Sequence, residues 1–402
     1  MITIKKQNFL HLLVSFSLLL LFLKTFNFKF LWNYPVVIFS MFSIAANLLF
    51  FLSTKFKKIE TDTFMLIFPL GVAIILQILA NNYEGLIGQC ILILTYFLIA
   101  LLPHEVKKEA FSFIFKVFTI IMVISLIGWI LVYIFRINLP YTESEFQHYK
   151  FYDYGFFNTR IEGIAFTRFL GMFIEPGYTA VMSVILLSAN YKEGVKNRWN
   201  KALIICTLFT LSLAGLLMLF IFFVLISLKN KKVMGLLSTL FVIILVVMYI
   251  YREDEDFLLT YFVTSRVEDM FSGNITGNRF SDKFGQVWNN NILGDMHNLF
   301  FGVGIDYIAR LKLNSCGYKV HIAQFGLVET ICICFFYLFT PILKGKITRR
   351  KLIFLIIWLL SFIDLGYPAW SCFIIIHILG YANLKEKKEV KNAKMSSFAI
   401  RI

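Results

Sequence analysis

Residues 9–23 read FLHLLVSFSLLLLFL, an almost unbroken apolar run that follows Lys5 and Lys6. A run of this length and composition is typical of a transmembrane helix. No small-residue cleavage site follows it, so we predict a retained first span and not a removed signal peptide. The rest of the chain extends the pattern, because 59% of its 402 residues are hydrophobic and its mean hydropathy is +0.76. This composition indicates a membrane protein.

Apolar runs throughout the chain define the candidate transmembrane segments. They comprise residues 9–23, 30–52, 63–80, 86–102, 111–135, 169–189, 202–213, 214–228, 234–250, 321–343, 352–365 and 367–382. A full crossing needs about 20 residues, so the shorter runs require tilting, breaks or flanking residues. Residues 202–228 leave two alternatives open, one long helix or two short ones.

Basic residues favour two crossings at 202–228 and set the orientation of the chain. With a cytoplasmic N-terminus and two crossings, the segments on the cytoplasmic side carry 25 of the 39 Lys and Arg residues. The short outer turns 24–29 and 81–85 carry only two. This distribution follows the positive-inside rule. We therefore predict about twelve segments in one integral membrane domain (1–402), with both termini cytoplasmic and a basic tail over 383–402.

The net charge of +15 reflects this orientation bias and does not indicate a nucleic-acid partner. Two long segments, 136–168 and 251–320, interrupt the short turns, and both fall on the outer face. Long loops between closely spaced helices often carry function. In the second loop, five apolar residues recur at helical spacing and predict a helix lying along the membrane surface. They are Phe280, Phe284, Val287, Trp288 and Ile292.

The first loop is rich in aromatic residues. Their rings suit sugars, and they equally suit the lipid interface. They are Tyr141, Phe146, Tyr149, Phe151, Tyr152, Tyr154, Phe156, Phe157 and Phe166.

A carboxylate and a proline interrupt the sixth apolar run, FLGMFIEPGYTAVM at 169–182, directly after Arg168. A Glu near the middle of a span costs about 2 to 3 kcal/mol, and a Pro removes a helix hydrogen bond. Glu175 and Pro176 therefore predict a polar cavity beside a loop.

Four arginines flank the outer loops and are candidates to bind a phosphate, because a guanidinium offers two-pronged hydrogen bonding. They are Arg160, Arg168, Arg279 and Arg310. Alternatively, an arginine at the membrane boundary serves only to orient the chain in the membrane. This alternative applies above all to Arg160.

His321 begins the tenth apolar run, with Glu329 two turns further along about the same helix face. His321 is either an interfacial residue or a candidate base or phosphate donor.

Three stretches resemble the Wzy-type O-antigen polymerases, within the wider O-antigen ligase and polymerase superfamily of bacterial envelopes. The first is Arg-x-x-Gly-x-Phe-x-Glu-Pro at 168–176, and the second combines Asn-Arg at 278–279 with LFFGVG at 299–304. The third is HIAQFG at 321–326. One departure is Ser-Leu-Ala-Gly at 212–215, where many members have Ser-Arg-Gly. A role of that arginine does not transfer to this chain.

The resemblance implies a GT-C-like fold, an all-α polytopic protein of the bacterial inner membrane whose two long periplasmic loops contain short helices. It also implies a glycosyltransferase that moves a growing glycan from undecaprenyl diphosphate onto an incoming undecaprenyl-diphosphate-linked repeat unit. The reaction would take place at the periplasmic face without metal or cofactor. The four arginines would neutralise the leaving diphosphate, and Glu175 or His321 would activate the acceptor hydroxyl.

A chain-length regulator protein is a further expected partner, besides the lipid-linked donor and acceptor and the bilayer. A ligase of the same superfamily and a flippase or transporter of lipid-linked sugar are the alternative functions. Transporters usually show two similar halves and charges near the midplane. The sequence shows no such halves, and its charges cluster at the outer loops.

Overall fold

The computed structural model describes residues 2–55, 64–83, 85–146, 149–161, 168–191, 197–228, 282–311, 317–343, 347–365 and 370–384. Most of these residues are helical, because a helix pairs its own backbone groups without water. The helices are α1 (Ile2–Thr25), α2 (Val36–Ser53), α3 (Phe64–Ala80), α4 (Leu86–Leu101), α5 (His104–Tyr133), α6 (Pro176–Ala189), α7 (Arg198–Phe209), α8 (Leu213–Ser227), α9 (Asp282–Val287), α10 (Met296–Phe301), α11 (Ile305–Arg310), α12 (Tyr318–Leu343), α13 (Arg349–Leu365) and α14 (Ser371–Leu384).

The long helices have the composition of membrane spans. In this part of the chain, four helices, α1, α2, α5 and α12, are long and apolar enough to cross a membrane. Helix α2 exposes large apolar side chains, among them Ile38, Met41 and Leu52 at 54%, 52% and 62% exposure. Such a surface suits lipid and not water. The apolar helices indicate a membrane-embedded protein, and the prediction of a mostly helical fold is confirmed. Twelve crossings stay a prediction, and the run at 234–250 lies outside the described residues.

The first long loop forms a small β-sheet, so the prediction of short helices there is wrong. Strands β1 (Thr142–Phe146), β2 (Tyr149–Asp153) and β3 (Asn158–Arg160) pair antiparallel in the order β1-β2-β3. The reason is the aromatic composition of the loop, which favours a pleated, half-buried surface. In the second loop, the described residues 282–311 do form short helices, α9, α10 and α11.

Residues 202–228 form a helical hairpin, which excludes one long helix. Helices α7 and α8 are separated by a turn at residues 210–212. The Asn190 amide donates to Asn200 Oδ1 at 2.9 Å, so α7 begins beside the end of α6. Gly215 packs on Ala180, so α8 begins beside the start of α6. The two helices therefore run in opposite directions.

Helix ends gather at two ends of the bundle. The Tyr178 hydroxyl, near the start of α6, donates to the Thr25 carbonyl at the end of α1 at 3.4 Å. The Tyr178 ring also lies 5.0 Å from the ring of Trp370, just before α14. We call the end of the bundle that contains Thr25, Tyr178 and Trp370 the loop end. At the opposite end the Asn383 amide donates to the Ala189 carbonyl at 3.0 Å. The side of the membrane that the loop end faces stays a prediction.

Helix α12 is broken at Gly326, whose φ of +85° and ψ of 167° are not helical. The LFFGVG stretch at 299–304 lies directly against the break. The Val303 and Gly304 amides donate to the carbonyls of Ala323 and Gln324 at 2.8 and 2.9 Å. A Cβ at Gly326 would lie 2.2 Å from the Phe300 carbonyl oxygen. Glycine is therefore required here both by backbone conformation and by close packing.

Replacing Gly326 with alanine is expected to lower the free energy of unfolding by about 3 kcal/mol, because it adds backbone strain and a clash with backbone. The control is Gly88→Ala in α4, where an added Cβ meets nothing within 4 Å. The measurement is the midpoint of thermal unfolding of each purified variant in detergent. Equal midpoints for the two variants would contradict the packing described here.

Candidate functional site

Glu175 does not lie inside a transmembrane helix, and that prediction is wrong. Residues 168–175 are not helical, and Glu175 is the N-cap of α6 in an extended conformation. Pro176 occupies the first helical turn, where its missing N–H costs nothing. The Glu175 side chain is 31% exposed. The run looked like a span because residues 169–174 are buried, but they are buried as a loop enclosed by protein.

The Glu175 cluster consists of Tyr149, Arg160 and Glu175. The Tyr149 hydroxyl donates to Glu175 Oε1 at 3.0 Å, and Arg160 Nη1 lies 3.9 Å from the same oxygen. The Arg160 guanidinium carbon is also 3.7 Å from the centre of the Tyr149 ring. Burial raises the pKa of the Tyr149 phenol, and the Glu175 carboxylate raises it further against the opposing charge of Arg160. Tyr149 therefore stays protonated and keeps donating to Glu175.

Backbone hydrogen bonds and an ion pair fix the sheet of the first loop to the helical bundle. The Asn158 amide donates to the Gly171 carbonyl at 2.8 Å, and the Lys29 amide donates to the Met172 carbonyl at 3.1 Å. The Lys29 ammonium pairs with Asp153 of β2. These bonds hold the sheet, the turn after α1 and the buried loop 168–175 as one unit. The geometry of the Glu175 cluster depends on this unit.

Most aromatic rings of the first loop serve packing. Phe151 and Phe157 are fully buried, and Tyr154 stacks on Phe157 with 4.4 Å between ring centres. Phe146 stacks on Trp32 at 4.5 Å. The sugar and interface alternatives therefore apply to exposed rings such as Tyr141, while Phe166 lies outside the described residues.

The His321 cluster consists of Gln77, His321 and Glu329, all buried. His321 Nε2 lies 2.6 Å from Glu329 Oε2, and the Gln77 amide donates to Glu329 Oε1 at 2.6 Å. In an unbroken α-helix, residues eight positions apart are about 12 Å apart along the axis. The break at Gly326 brings the two side chains together. Residues 299–304, which pack against the break, therefore help to bring His321 and Glu329 into contact.

The contact with Glu329 fixes the orientation of the His321 imidazole. A carboxylate at Glu329 accepts the hydrogen of Nε2, and in that tautomer Nδ1 of His321 carries the lone pair. Within the described residues, Nδ1 makes no hydrogen bond. In this tautomer the lone pair of Nδ1 can accept a proton, which is the arrangement in which a carboxylate orients a histidine in known catalytic triads.

A cavity of about 420 Å³ lies at the loop end, between α1, α2, α3, α4, α12 and α14. Gln77 of the His321 cluster forms part of its wall, and so does Phe146, at the end of β1. Lys24 and Gln89 add polar groups from the ends of α1 and α4. Glu175 and Pro176 are not among its lining residues, so this is not the cavity that these two residues predicted.

The four predicted arginines lie in different places. Arg160 pairs with Glu175, and the half-buried Arg168 is the first residue of the loop 168–175. Arg310 is exposed at the end of α11. Arg279 lies outside the described residues. Arg160 and Arg168 thus border the same buried loop, from β3 and from its first residue.

The apolar helix predicted for the membrane surface is covered by protein. Phe284 and Ile292 are buried against Ile308 and Ala323. The helix α9 ends at Val287, and a π-helical turn continues it to Ile292. The apolar face therefore anchors the second loop on α12 and does not face lipid, which corrects the prediction for these residues.

Sequence reasoning missed Tyr149 as a partner of Glu175 and Gln77 as a partner of Glu329. Gln77 had a signal, since a glutamine inside an apolar run needs a hydrogen-bond partner. Lys24 could have been recognised in the same way, because it is a cation directly after the first apolar run. Tyr149 had none, because it is one of many aromatic residues in its loop.

Fold and side chains together define a helical, membrane-embedded protein with two polar clusters and a cavity in the bundle. The chain was compared with family models, curated proteins and solved structures, and it matches none of them. The resemblance to the Wzy-type polymerases therefore stays a prediction.

Proposed function

We propose that the protein is a polymerase of a bacterial surface polysaccharide of the O-antigen type. It transfers a growing glycan from undecaprenyl diphosphate onto an incoming lipid-linked repeat unit at the periplasmic face of the inner membrane. The fold is then GT-C-like, both termini are cytoplasmic, and a chain-length regulator is a partner. The observation that carries the proposal is a buried histidine–carboxylate pair that adjoins, through Gln77, a cavity large enough for a ligand.

The proposed chemistry uses the His321 pair on the acceptor. Nδ1 of His321 takes the proton of an acceptor hydroxyl while its oxygen forms a bond to the anomeric carbon of the donor. The bond from this carbon to the diphosphate oxygen breaks, and undecaprenyl diphosphate leaves. The Glu329 carboxylate stabilises the imidazolium that forms, and Gln77 holds the carboxylate in place.

The proposed leaving-group site lies at the buried loop 168–175. A diphosphate leaves more easily when guanidinium groups neutralise its growing charge. Arg168 and Arg160 border this loop in the structure, and Arg279 and Arg310 are further candidates. Glu175, which contacts Arg160 and Tyr149, orients the arginine rather than activating the acceptor.

The substitution Glu175→Gln is expected to keep the polymerisation rate within about tenfold of wild type, because the amide oxygen still accepts from Tyr149. Glu175→Ala is expected to lose more than that, since a hydrogen bond to a charged group contributes about 1.5–3 kcal/mol. Rates come from polymer formation by the purified protein.

Glu145→Ala, at an exposed position of β1, is the matched control and should keep the wild-type rate. A loss of about 100-fold in Glu175→Gln would show that Glu175 is the base after all.

A transporter of lipid-linked sugar is a second candidate, and the buried His321–Glu329 pair favours it as well. Ionisable pairs within membrane helices commonly carry protons in transporters. Deletion of the gene in the source bacterium separates the functions. Lipopolysaccharide with a single repeat per core is expected for a polymerase, whereas loss of all repeats would indicate a transporter or a ligase.

A further inference from the structure

The wall of the cavity at the loop end includes Lys24, a cation that pairs with no carboxylate among the described residues. Lys24 is only 7% exposed and its side chain forms part of the cavity wall. Its ammonium donates to the carbonyl oxygens of Leu31 and Trp32 at 2.9 and 3.0 Å. Within the described residues it pairs with no carboxylate, and none lines the cavity. A buried ammonium without an anion is costly, so an anion in the cavity would stabilise this arrangement.

The other groups of the wall suit a sugar. Gln77 and Gln89 present amides, and Ser371 presents a hydroxyl. The Gln89 side chain makes no hydrogen bond within the described residues, so its donors and acceptor are available. Trp370 adds an aromatic surface against which the apolar face of a sugar ring can pack. The volume of about 420 Å³ is within the range of small-molecule sites.

We propose that this cavity binds a sugar that carries a carboxylate, so that the repeat unit contains an acidic sugar held by Lys24. A carboxylate is favoured over a diphosphate because the wall offers one ammonium and neutral amides, and no arginine fork among the described residues. The statement that the sugar belongs to a repeat unit rests on the proposed function. The anion site itself rests on the burial and contacts of Lys24.

Binding of three probes to the purified protein, measured by saturation-transfer NMR and competition, tests the site. The probes are glucuronate, glucose and inorganic diphosphate. We expect glucuronate to bind at least tenfold more tightly than glucose, because only glucuronate supplies the missing anion. Equal affinities would overturn the proposal. Tighter binding of diphosphate, with displacement of glucuronate, would also overturn it and assign the cavity to the lipid carrier.

Two variants locate the binding. Lys24→Gln is expected to remove the preference for glucuronate while leaving the affinity for glucose within threefold. A preference that persists in this variant would overturn the proposal. Because Lys24 also holds the turn at Leu31 and Trp32, a second variant avoids a folding defect.

Gln89→Leu removes an amide from the wall and is expected to weaken both sugars at least fivefold without changing the preference. Unchanged binding of both sugars in Gln89→Leu would place them outside the cavity and overturn the proposal. These results do not depend on catalysis. Glucuronate binding without any polymer formation would refute the polymerase function and leave the anion site standing.

Discussion

His321→Ala is expected to lower the rate of polymer formation at least 100-fold, with little change in protein level. General base catalysis typically contributes about 10² to 10⁴ in rate. Glu329→Gln is expected to have an effect of similar size. The amide that replaces the carboxylate can donate to Nε2 of His321, which moves the imidazole hydrogen to Nδ1 and leaves no lone pair for the acceptor. The measurement is the initial rate of the purified variants with a lipid-linked repeat unit.

His297→Ala is the matched control, because His297 is an exposed histidine of the second long loop, which precedes the helix of His321. It should retain the wild-type rate. A rate within tenfold of wild type for His321→Ala would remove His321 from the reaction, and the buried pair would then be a structural or proton-carrying element.

Arg168→Ala is expected to abolish detectable polymer, because the departing diphosphate would lose a cation that neutralises its charge. Arg168→Lys should rescue the activity only in part, since an ammonium is a point charge without the two-pronged geometry of a guanidinium. Polymer length on gels and the amount of undecaprenyl diphosphate released give the two readouts.

Arg136→Ala is the control for this series, since Arg136 is an exposed arginine of the same loop. Full activity in Arg168→Ala would contradict the proposed leaving-group site. Full rescue by Arg168→Lys would show that charge alone is sufficient there.

Hydropathy predicted where helices form, but it could not distinguish a buried helix from a buried loop. Residues 169–174 are as apolar as a span, and the structure encloses them as non-helical backbone. Pro176 carried the missing information, because a proline is favoured in the first turn of a helix. Similarly, Pro35 stands before α2, so in the run predicted from residue 30 the α-helix begins only at Val36.

The candidate site was predictable where its partners share one helix and not where they come from distant elements. The spacing of His321 and Glu329 predicted a common face, but their contact needs the break at Gly326. Gln77 reaches the pair from another helix, so only its unusual presence in an apolar run could have indicated it. The antiparallel pairing of strands that brings Arg160 to Tyr149 is likewise a tertiary property.

The most direct test of the proposed function is polymer formation by the purified protein from lipid-linked repeat units of the source bacterium. The expected result is a ladder of glycans that lengthen on their lipid, with one undecaprenyl diphosphate released per bond formed. The ladder should be the same with EDTA present. Unchanged repeat units in the presence of well-folded protein, together with transport of the same lipid across vesicle membranes, would contradict the polymerase function.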